Sequence, residues 1–442
     1  MAVLMKILQL VVALSALIAI HEAGHFFWAR IFGIRVDKFF LFFDIGGVKL
    51  FSTRSAWFLK LFPKAASWKT EYGIGWLPLG GYCKIAGMVD ESLDMESLKK
   101  EAQPWEFRSK KSWQRLLVMS GGVLNNFLLA IALFIAILAI WGGVYVPNDY
   151  PVYPNAVAQE MGFRSGDRIL KMDDYVPQDF LDLQADLARR QARTVTVLRG
   201  ADTLTLYIDQ SLIGAVLNSP GLFDAALPFV VDSLQEGSLN PGLKRGDRLL
   251  TLQGSTDPWL QDVRAWLQAH PDTCVYEKWQ RGADTLTLPL VSDSTGRAGV
   301  LLSMPMAQRR SYSIAQAIPA GAKLAWKSVG GYLRDLRLVA TPSTGAYKSV
   351  GSFVAIGEVF PSAWNWYQFL YILAMLSIML GVMNLLPVPG LDGGHIVFCL
   401  WEMISGRKPS DRFMQIAQIV GMVLLLLLMM LAFGNDIGRL IN

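Results

Sequence analysis

The chain has 442 residues, of which 52% are hydrophobic and 17% are charged, and its mean hydropathy is +0.34. This balance excludes an ordinary soluble protein and predicts an integral membrane protein that carries soluble inserts. The net charge of +5 is modest, and no basic patch is interleaved with aromatic residues. Nucleic-acid binding is therefore not expected. The three cysteines are odd in number and far apart, so they predict no disulfide framework.

The first predicted element is an apolar helix from about Ala2 to Gly33, within the segment 1–33. Lys6 is the only charged residue in its apolar run, residues 2–20. Its length is sufficient to span a bilayer. The run continues directly into the sequence HEAGH at 21–25. Cleavage as a signal peptide is not expected, because it would destroy this motif.

The HEAGH sequence places His21 and His25 four residues apart, so that both imidazoles lie on one helix face and can reach one metal ion. Glu22 lies beside the pair and is suited to take a proton from a water on that metal. The alternative is a solvated helix face with two ordinary histidines. Ionisable groups in an apolar span usually mark function, which favours a metal site.

The segment 34–115 is aromatic and rich in glycine at first, and it is charged from Asp90 to Lys111. Alternating apolar residues and Gly-Gly turns predict short strands. The excess of basic residues places this segment in the cytoplasm by the positive-inside rule. Its Phe and Trp residues fit either a small sheet dipping into the membrane or an ordinary hydrophobic core, and both interpretations stay open.

A second span is predicted at 116–146. Gly121 and Gly122 would permit close helix approach, and Asn125 and Asn126 are polar groups within lipid. One asparagine could face the metal site. Hydrogen bonding between helices is the alternative for both residues, and it is the favoured interpretation for Asn126.

The composition turns soluble after the second span, and the chain repeats itself. MGFRSGDRIL at 161–170 matches PGLKRGDRLL at 241–250, and RGADTLTL at 199–206 recurs at 281–288. A spacing of about 80 residues predicts two tandem domains, at 147–227 and 228–310. The Gly-Asp turn followed by an amphipathic helix resembles PDZ domains, which often capture peptide termini. Structural spacers without a ligand are the alternative.

The segment 311–352 contains an amphipathic helix from Ser313 to Ala340, expected along the outer membrane surface, and then a loop. A third span follows at 353–395. Pro387, Pro389 and Gly390 must break its helix. Irregular backbone at membrane depth is tolerated where protein or a watery cavity lines it. Asp392 at this break is therefore suited to be a third metal ligand.

His395 is expected to support the ligands by hydrogen bonding, with direct metal binding as the alternative. A cytoplasmic loop and a fourth span complete the chain at 396–442. The predicted fold class is a multi-pass α-helical membrane protein with four transmembrane helices, a small membrane-associated β-sheet and two α+β PDZ-like domains.

Taken together, these motifs resemble the bacterial site-2 protease family, specifically its regulator-of-sigma-E protease branch. The resemblance rests on HEAGH, PLGGYCKI at 78–85, the tandem repeats and NLLPVPGLDGGH at 384–395, and it covers essentially the full length. It implies a protease that cuts substrate helices within the membrane. It assigns one zinc ion per chain to His21, His25 and Asp392, and the catalytic acid and base to Glu22.

The same resemblance assigns substrate binding to Asn384 and Asn125. Three family motifs are altered: Gly-Pro before the second span reads Gly121-Gly122, Gly-Phe-Gly after the first helix reads FDIGG at 43–47, and Gly-Pro after the inserts reads Gly351-Ser352. These changes leave the chemistry intact and affect the expected gating of substrate.

The implied partners are the lipid bilayer, single-pass membrane substrates and peptide termini at the PDZ-like domains. The substrates would be regulators of anti-sigma-factor type or leftover signal peptides. The implied location is the bacterial inner membrane, with the PDZ-like domains in the periplasm. They would filter substrates over the outer mouth of the site.

Two other classes of protein stay open. Two histidines and a carboxylate also describe the iron site of a non-haem oxidase. A receptor or scaffold that works through its PDZ-like pair over a degenerate site is the second. Glu22 beside His21 argues for hydrolysis, and the complete set of four residues argues against a degenerate site.

Overall fold

The structure is a computed structural model that describes residues 2–78, 80–88, 101–303 and 308–441. Much of the charged segment predicted from Asp90 lies outside these residues. The described chain divides into two compact units. The membrane unit comprises residues up to 142, 311–340 and 347 onward, and the insert unit comprises 143–310 and 341–346.

The α-helices of the described residues are numbered in chain order. They are α1 (Ala2–Ile31), α2 (Ala56–Leu61), α3 (Ser112–Trp141), α4 (Ala156–Glu160), α5 (Leu183–Arg190), α6 (Ile213–Asn218), α7 (Leu260–Ala269), α8 (Ile314–Val339), α9 (Phe353–Val359), α10 (Trp366–Leu385), α11 (Asp392–Ser405) and α12 (Asp411–Ile441).

The strands are numbered in the same way. They are β1 (Val36–Leu41), β2 (Lys49–Ser52), β3 (Glu71–Gly75), β4 (Tyr82–Ile85), β5 (Gly143–Tyr145), β6 (Val152–Pro154), β7 (Arg168–Met172), β8 (Thr194–Arg199), β9 (Asp202–Tyr207), β10 (Phe223–Ala225), β11 (Val231–Leu234), β12 (Arg248–Leu249), β13 (Thr251–Leu252), β14 (Ser255–Thr256), β15 (Cys274–Arg281), β16 (Asp284–Val291), β17 (Val300–Leu302) and β18 (Gln308–Arg310).

Within the described residues, α1, α3, α10 and α12 are long and apolar enough to cross a membrane. The prediction of four spans is therefore confirmed, and the protein is a multi-pass membrane protein. The second span begins at Ser112 and ends at Trp141, so both ends lie earlier than expected. It ends there because Gly142 at positive φ terminates α3 and β5 follows at Gly143.

Helices α1 and α3 cross at a pair of glycines. A Cβ atom on Gly24 would lie 2.1 Å from the Gly121 carbonyl oxygen, and one on Gly121 would lie 2.5 Å from that of Gly24. Only glycine on both sides permits this approach, as is typical of helix pairs within lipid. The crossing brings α3 directly against the helix that carries the HEAGH motif.

Helix α8 differs from the expected surface helix. Ala325 shares a core cluster with Ala130 and Phe134 of α3 and Ala374 of α10. A Cβ atom on Gly321 would lie 2.7 Å from the backbone nitrogen of Ile135, so α8 approaches α3 closely. The amphipathic pattern was predicted correctly, but the apolar face packs against two spanning helices and makes α8 part of the helical bundle.

The region predicted as a third span with a following loop is divided into three helices. Helix α9 ends at Val359, and α10 begins at Trp366 after a bend. The predicted break is present, because α10 ends at Leu385 and Gly390 has φ +99°. The segment from 396, expected as a cytoplasmic loop, instead continues helix α11, whose first residue is Asp392.

A four-stranded sheet follows α1, in the order β2-β3-β1-β4. Strands β1 and β3 are parallel, whereas β4 pairs antiparallel with β1. Beside the sheet, the exposed side chains of Trp57, Phe62 and Trp68 form an aromatic surface with α2. This surface is compatible with the predicted membrane contact, which stays a prediction.

The insert unit contains two repeats that fold alike. In the first, buried Asp167 pairs with Arg199 through both carboxylate oxygens at 2.7 and 2.8 Å. In the second, buried Asp247 pairs with Arg281 at 2.8 and 2.7 Å. Each aspartate lies in the repeated Gly-Asp turn, directly before strand β7 or β12. Each arginine is the last residue of the strand that pairs with that strand, β8 or β15. The sequence repeat is thus a repeat of structure.

The two ends of the insert lie side by side. Strands β5 and β18 pair antiparallel, with Gly143 opposite Arg310 and Tyr145 opposite Gln308. The chain therefore enters and leaves the insert through one two-stranded ribbon. The insert can therefore be deleted and the two strands of the ribbon joined by a short connection.

Candidate metal centre

The metal centre is built first from the HEAGH face of α1. His21 and His25 are both buried, with 8% and 6% of their surfaces exposed. Their rings lie against α3 at Gly122, where an added Cβ would be 2.5 Å from His25 Nε2 and 2.6 Å from His21 Cε1. The absence of a side chain at Gly122 leaves room for both imidazoles.

Asp392 completes the cluster from the start of α11. Its Oδ2 atom lies 3.3 Å from His21 Nε2 and 3.3 Å from His25 Nε2. The two Nε2 atoms are also 3.3 Å apart. Three donor atoms from α1 and α11 therefore form an equilateral triangle.

This triangle has the dimensions of one face of a zinc tetrahedron. Bond lengths of about 2.0–2.1 Å to nitrogen and oxygen give ligand-to-ligand distances of about 3.3 Å in tetrahedral geometry. The same bond lengths in an octahedral facial triad would give about 2.9 Å. The observed distances are thus compatible with tetrahedral zinc.

The hydrogen bonds of the cluster also fit a metal. Asp392 Oδ2 is buried and has no well-aligned hydrogen-bond donor among the described residues. Burying an unpaired carboxylate oxygen is costly, and a cation at the centre of the triangle would offset that cost. His25 Nδ1 lies 2.8 Å from the Val118 carbonyl oxygen, so a proton on Nδ1 leaves the Nε2 lone pair free for a metal.

Glu22 lies on the side of α1 that faces the sheet. The pKa of the Cys83 thiol in β4 is well above its ordinary value, because the thiol is buried and because the Glu22 carboxylate is nearby. The residue that precedes β4 approaches α1 closely, since a Cβ on Gly81 would lie 2.5 Å from Ile18 Cγ2. Glu22 therefore lies within electrostatic range of Cys83 on an edge strand of the sheet and of His25.

The asparagines predicted for substrate binding differ in position. Asn384, near the end of α10, has its Nδ2 3.4 Å from His21 Nε2 and so lies at the metal centre. Asn125 Nδ2 donates to the Ile20 carbonyl oxygen at 3.0 Å and ties α3 to α1. Asn126, whose favoured interpretation was a bond between helices, lies 3.0 Å from His21 Nδ1. Of the adjacent pair, Asn126 is thus the one that contacts His21.

His395 is on α11, one turn after Asp392, and its ring packs edge-on against Phe398. Among the described residues, His395 forms no hydrogen bond with His21, His25 or Asp392, the candidate ligands it was expected to support. Its supporting role stays a prediction.

Helix α11 is held in position by a partly buried ion pair at the other end of the helix. Arg115, at the start of α3, donates to Glu402 at 2.5 Å and to the Lys110 carbonyl oxygen at 3.1 Å. Breaking such a pair leaves an uncompensated buried charge. The pair therefore fixes the helix whose first residue is Asp392, the candidate third ligand.

Comparison with known proteins supports the same chemistry. The model of peptidase family M50 matches residues 9–428. The chain is 28% identical to Protease RseP of Yersinia pestis and to the Regulator of sigma E protease of Salmonella typhi, with both partners covered over 100% of their length. It is also 26% identical to a putative zinc metalloprotease of Vibrio cholerae serotype O1, covering 99% of each.

The family match covers nearly all of the chain, including HEAGH and LDGGH. These two motifs supply the three atoms of the zinc-sized triangle. The chain therefore belongs to peptidase family M50 and is a zinc metalloprotease of the site-2 type.

Proposed function

We propose that this protein hydrolyses peptide bonds within the transmembrane segments of other membrane proteins. In this proposal, His21, His25 and Asp392 hold one zinc ion, and Glu22 is the catalytic acid and base. The observation that carries the proposal is the 3.3 Å triangle of donor atoms on spanning helix α1 and on α11. A hydrolytic centre in this position is suited to a substrate that lies in the bilayer.

Zinc, when bound, supplies a Lewis acid that acidifies a water molecule and polarises the peptide carbonyl. Glu22 accepts the proton of the attacking water and passes it to the nitrogen of the leaving amine. The two carboxylates thus have separate roles, since Asp392 binds the cation and Glu22 moves the proton.

A substrate helix must unwind before it is cut, because its backbone hydrogen bonds protect each peptide unit. Strand β4 is an edge of the sheet, and its Cys83 lies within electrostatic range of Glu22. We infer that the unwound segment adds to β4 as a strand, which replaces the hydrogen bonds lost from the substrate helix. Asn384, beside His21, would hold the substrate backbone near the cut. Substrate binding by Asn125 stays a prediction, because its amide nitrogen bonds to α1.

Two substrate classes fit the proposal. Two relatives bear names that refer to regulation of sigma E, which supports a membrane regulator of anti-sigma-factor type. Remnant signal peptides are the second class. Membrane fragments from cells with active protein and with the Glu22→Gln variant should differ by products whose new termini lie within transmembrane segments. New termini confined to soluble domains would refute intramembrane cleavage.

We further propose that the two repeats of the insert unit are PDZ-like domains that filter substrates. The insert joins the chain at both ends through the β5–β18 ribbon, so its two connections lie side by side. A bulky external domain on a substrate would be excluded, whereas a trimmed substrate would pass and offer its new terminus to a PDZ-like groove.

The ribbon permits a sharp test of the filter. Residues 146–307 can be replaced by Asn-Gly, which forms a tight turn between paired Tyr145 and Gln308. The shortened enzyme is expected to retain zinc and to cut a substrate with its external domain at about the rate of the trimmed one. The full-length enzyme should strongly prefer the trimmed substrate. The shortened Glu22→Gln variant is the control for cutting at another site.

Equal preference for the trimmed substrate in both enzymes would show that the filter lies in the membrane unit. Loss of zinc from the shortened enzyme would show that the insert supports the metal centre, which the proposal does not allow.

The proposed location is the bacterial inner membrane, with the insert in the periplasm and the β-sheet in the cytoplasm. Basic residues in the segment 34–115 and at Arg407, Lys408 and Arg412 support this orientation. Exposed Cys274 in the insert should react with an impermeant thiol reagent in spheroplasts. A cysteine introduced at exposed Ala102, in a Cys274→Ser background, should react only after lysis. The opposite pattern would overturn the orientation.

A further inference from the structure

The side chain of Asn126 occupies an unusual position on the far side of a metal ligand. It is completely buried, and its Nδ2 lies 3.0 Å from His21 Nδ1. Its Oδ1 is buried without a hydrogen-bond partner among the described residues. A buried amide oxygen without a donor costs free energy, so this orientation of the amide group calls for an explanation.

The explanation lies in the tautomer that metal binding requires. His21 Nε2 is one corner of the donor triangle, so its lone pair must face the metal. In a neutral imidazole the proton then resides on Nδ1, which becomes a hydrogen-bond donor. An amide nitrogen opposite that atom would place two donors against each other. An amide oxygen there would form a hydrogen bond.

Rotation of the Asn126 amide by 180° exchanges its oxygen and nitrogen, which have nearly the same shape. It replaces the contact between two donors with a bond from His21 Nδ1 to Oδ1, and it gives the unpaired oxygen a donor. We propose that Asn126 is a positioning residue that fixes the tautomer and ring orientation of His21 by accepting the Nδ1 hydrogen. This inference deepens the proposed zinc function and rests on it.

The two histidines would then be supported by different groups. His25 uses a backbone oxygen, that of Val118, which no substitution removes. His21 depends on a side chain that one substitution can change. Loss of such a supporting partner typically lowers metal affinity by about 10–100-fold.

Three variants of the full-length protein separate this role from simple packing. Asn126→Leu removes the acceptor and keeps a branched side chain with the same number of heavy atoms, whereas Asn126→Asp retains an oxygen that accepts the same hydrogen. Ser377→Ala is the matched control. Ser377 Oγ, on α10, donates to the backbone oxygen of Asn126 at 2.7 Å. Loss of this hydrogen bond weakens the packing of α10 against α3 at Asn126 without changing the contact between Asn126 and His21.

Zinc affinity is measured by competition with a chromophoric chelator, and ligand geometry is measured from the visible spectrum of bound Co²⁺. Asn126→Leu is expected to lose about 10–100-fold in affinity and to shift the Co²⁺ bands. Asn126→Asp should bind at least as tightly as wild type. Ser377→Ala should lower the unfolding temperature and leave both metal readouts unchanged.

Wild-type affinity and an unchanged Co²⁺ spectrum in Asn126→Leu would overturn the inference. Equal losses in Asn126→Leu and Asn126→Asp would also overturn it, since packing and not the acceptor would then matter. Failure of wild-type protein to bind zinc would instead refute the proposed function, so the two failures are distinguishable.

Discussion

Replacing Glu22 with glutamine is expected to reduce peptide cleavage by about 10²–10⁴-fold while zinc stays bound. The amide has nearly the shape of the carboxylate, but it cannot accept the proton of the attacking water. Glu22 is not part of the 3.3 Å triangle, so the metal ligands are unchanged. The measurement is the initial rate on a purified transmembrane substrate, together with the zinc content of the same preparation.

The matched variant is Glu22→Asp, which retains the carboxylate and withdraws it by about one bond length. A partial rate, between those of wild type and Glu22→Gln, is expected. If Glu22→Gln protein cut the substrate at the wild-type rate, Glu22 would not be the base. If it lost its zinc, Glu22 would belong to the metal ligands.

Replacing Asp392 with alanine is expected to remove both zinc and activity. This residue supplies the only carboxylate oxygen of the triangle, and its loss leaves two neutral imidazoles to hold a divalent cation. Loss of a residue that supports a ligand lowers metal affinity by about 10–100-fold, so loss of a ligand itself should lower it by more than about 100-fold. The same chelator competition measures the affinity.

Asn384→Ala is the control for Asp392→Ala, because Asn384 also lies near His21 Nε2 but is not one of the three donors. It should retain zinc and raise KM, in keeping with a role in holding substrate. Wild-type zinc affinity in Asp392→Ala protein would contradict the assignment of the third ligand.

Most of the metal centre could be predicted from the sequence because its determinants are local. His21 and His25 share a face at any rotation of α1, since a spacing of four residues is slightly more than one helical turn. The Pro387–Gly390 break also follows from backbone chemistry alone, and it led to Asp392. The four spans were predicted because each is a continuous apolar run of sufficient length.

Contacts between distant elements could not be predicted in this way. Asn125 and Asn126 are adjacent and chemically identical, and only the rotation of α3 against α1 decides which one contacts His21. That rotation follows from the Gly24–Gly121 crossing, which has no sequence signal beyond two small residues. The same limit applies to α8, whose apolar face fits either a membrane surface or the helices it packs against.

The sequence by itself determined the candidate ligand residues, the breaks that frame them and the membrane-spanning architecture, because periodicity and backbone chemistry act over a few residues. The tertiary structure alone decided that Asp392 begins a new helix held by the Arg115–Glu402 pair, that its Oδ2 lies 3.3 Å from both histidines, and that Asn126 contacts His21. Each of these depends on helices that are far apart in the chain, and their relative rotation and depth are set by side-chain packing over the whole bundle.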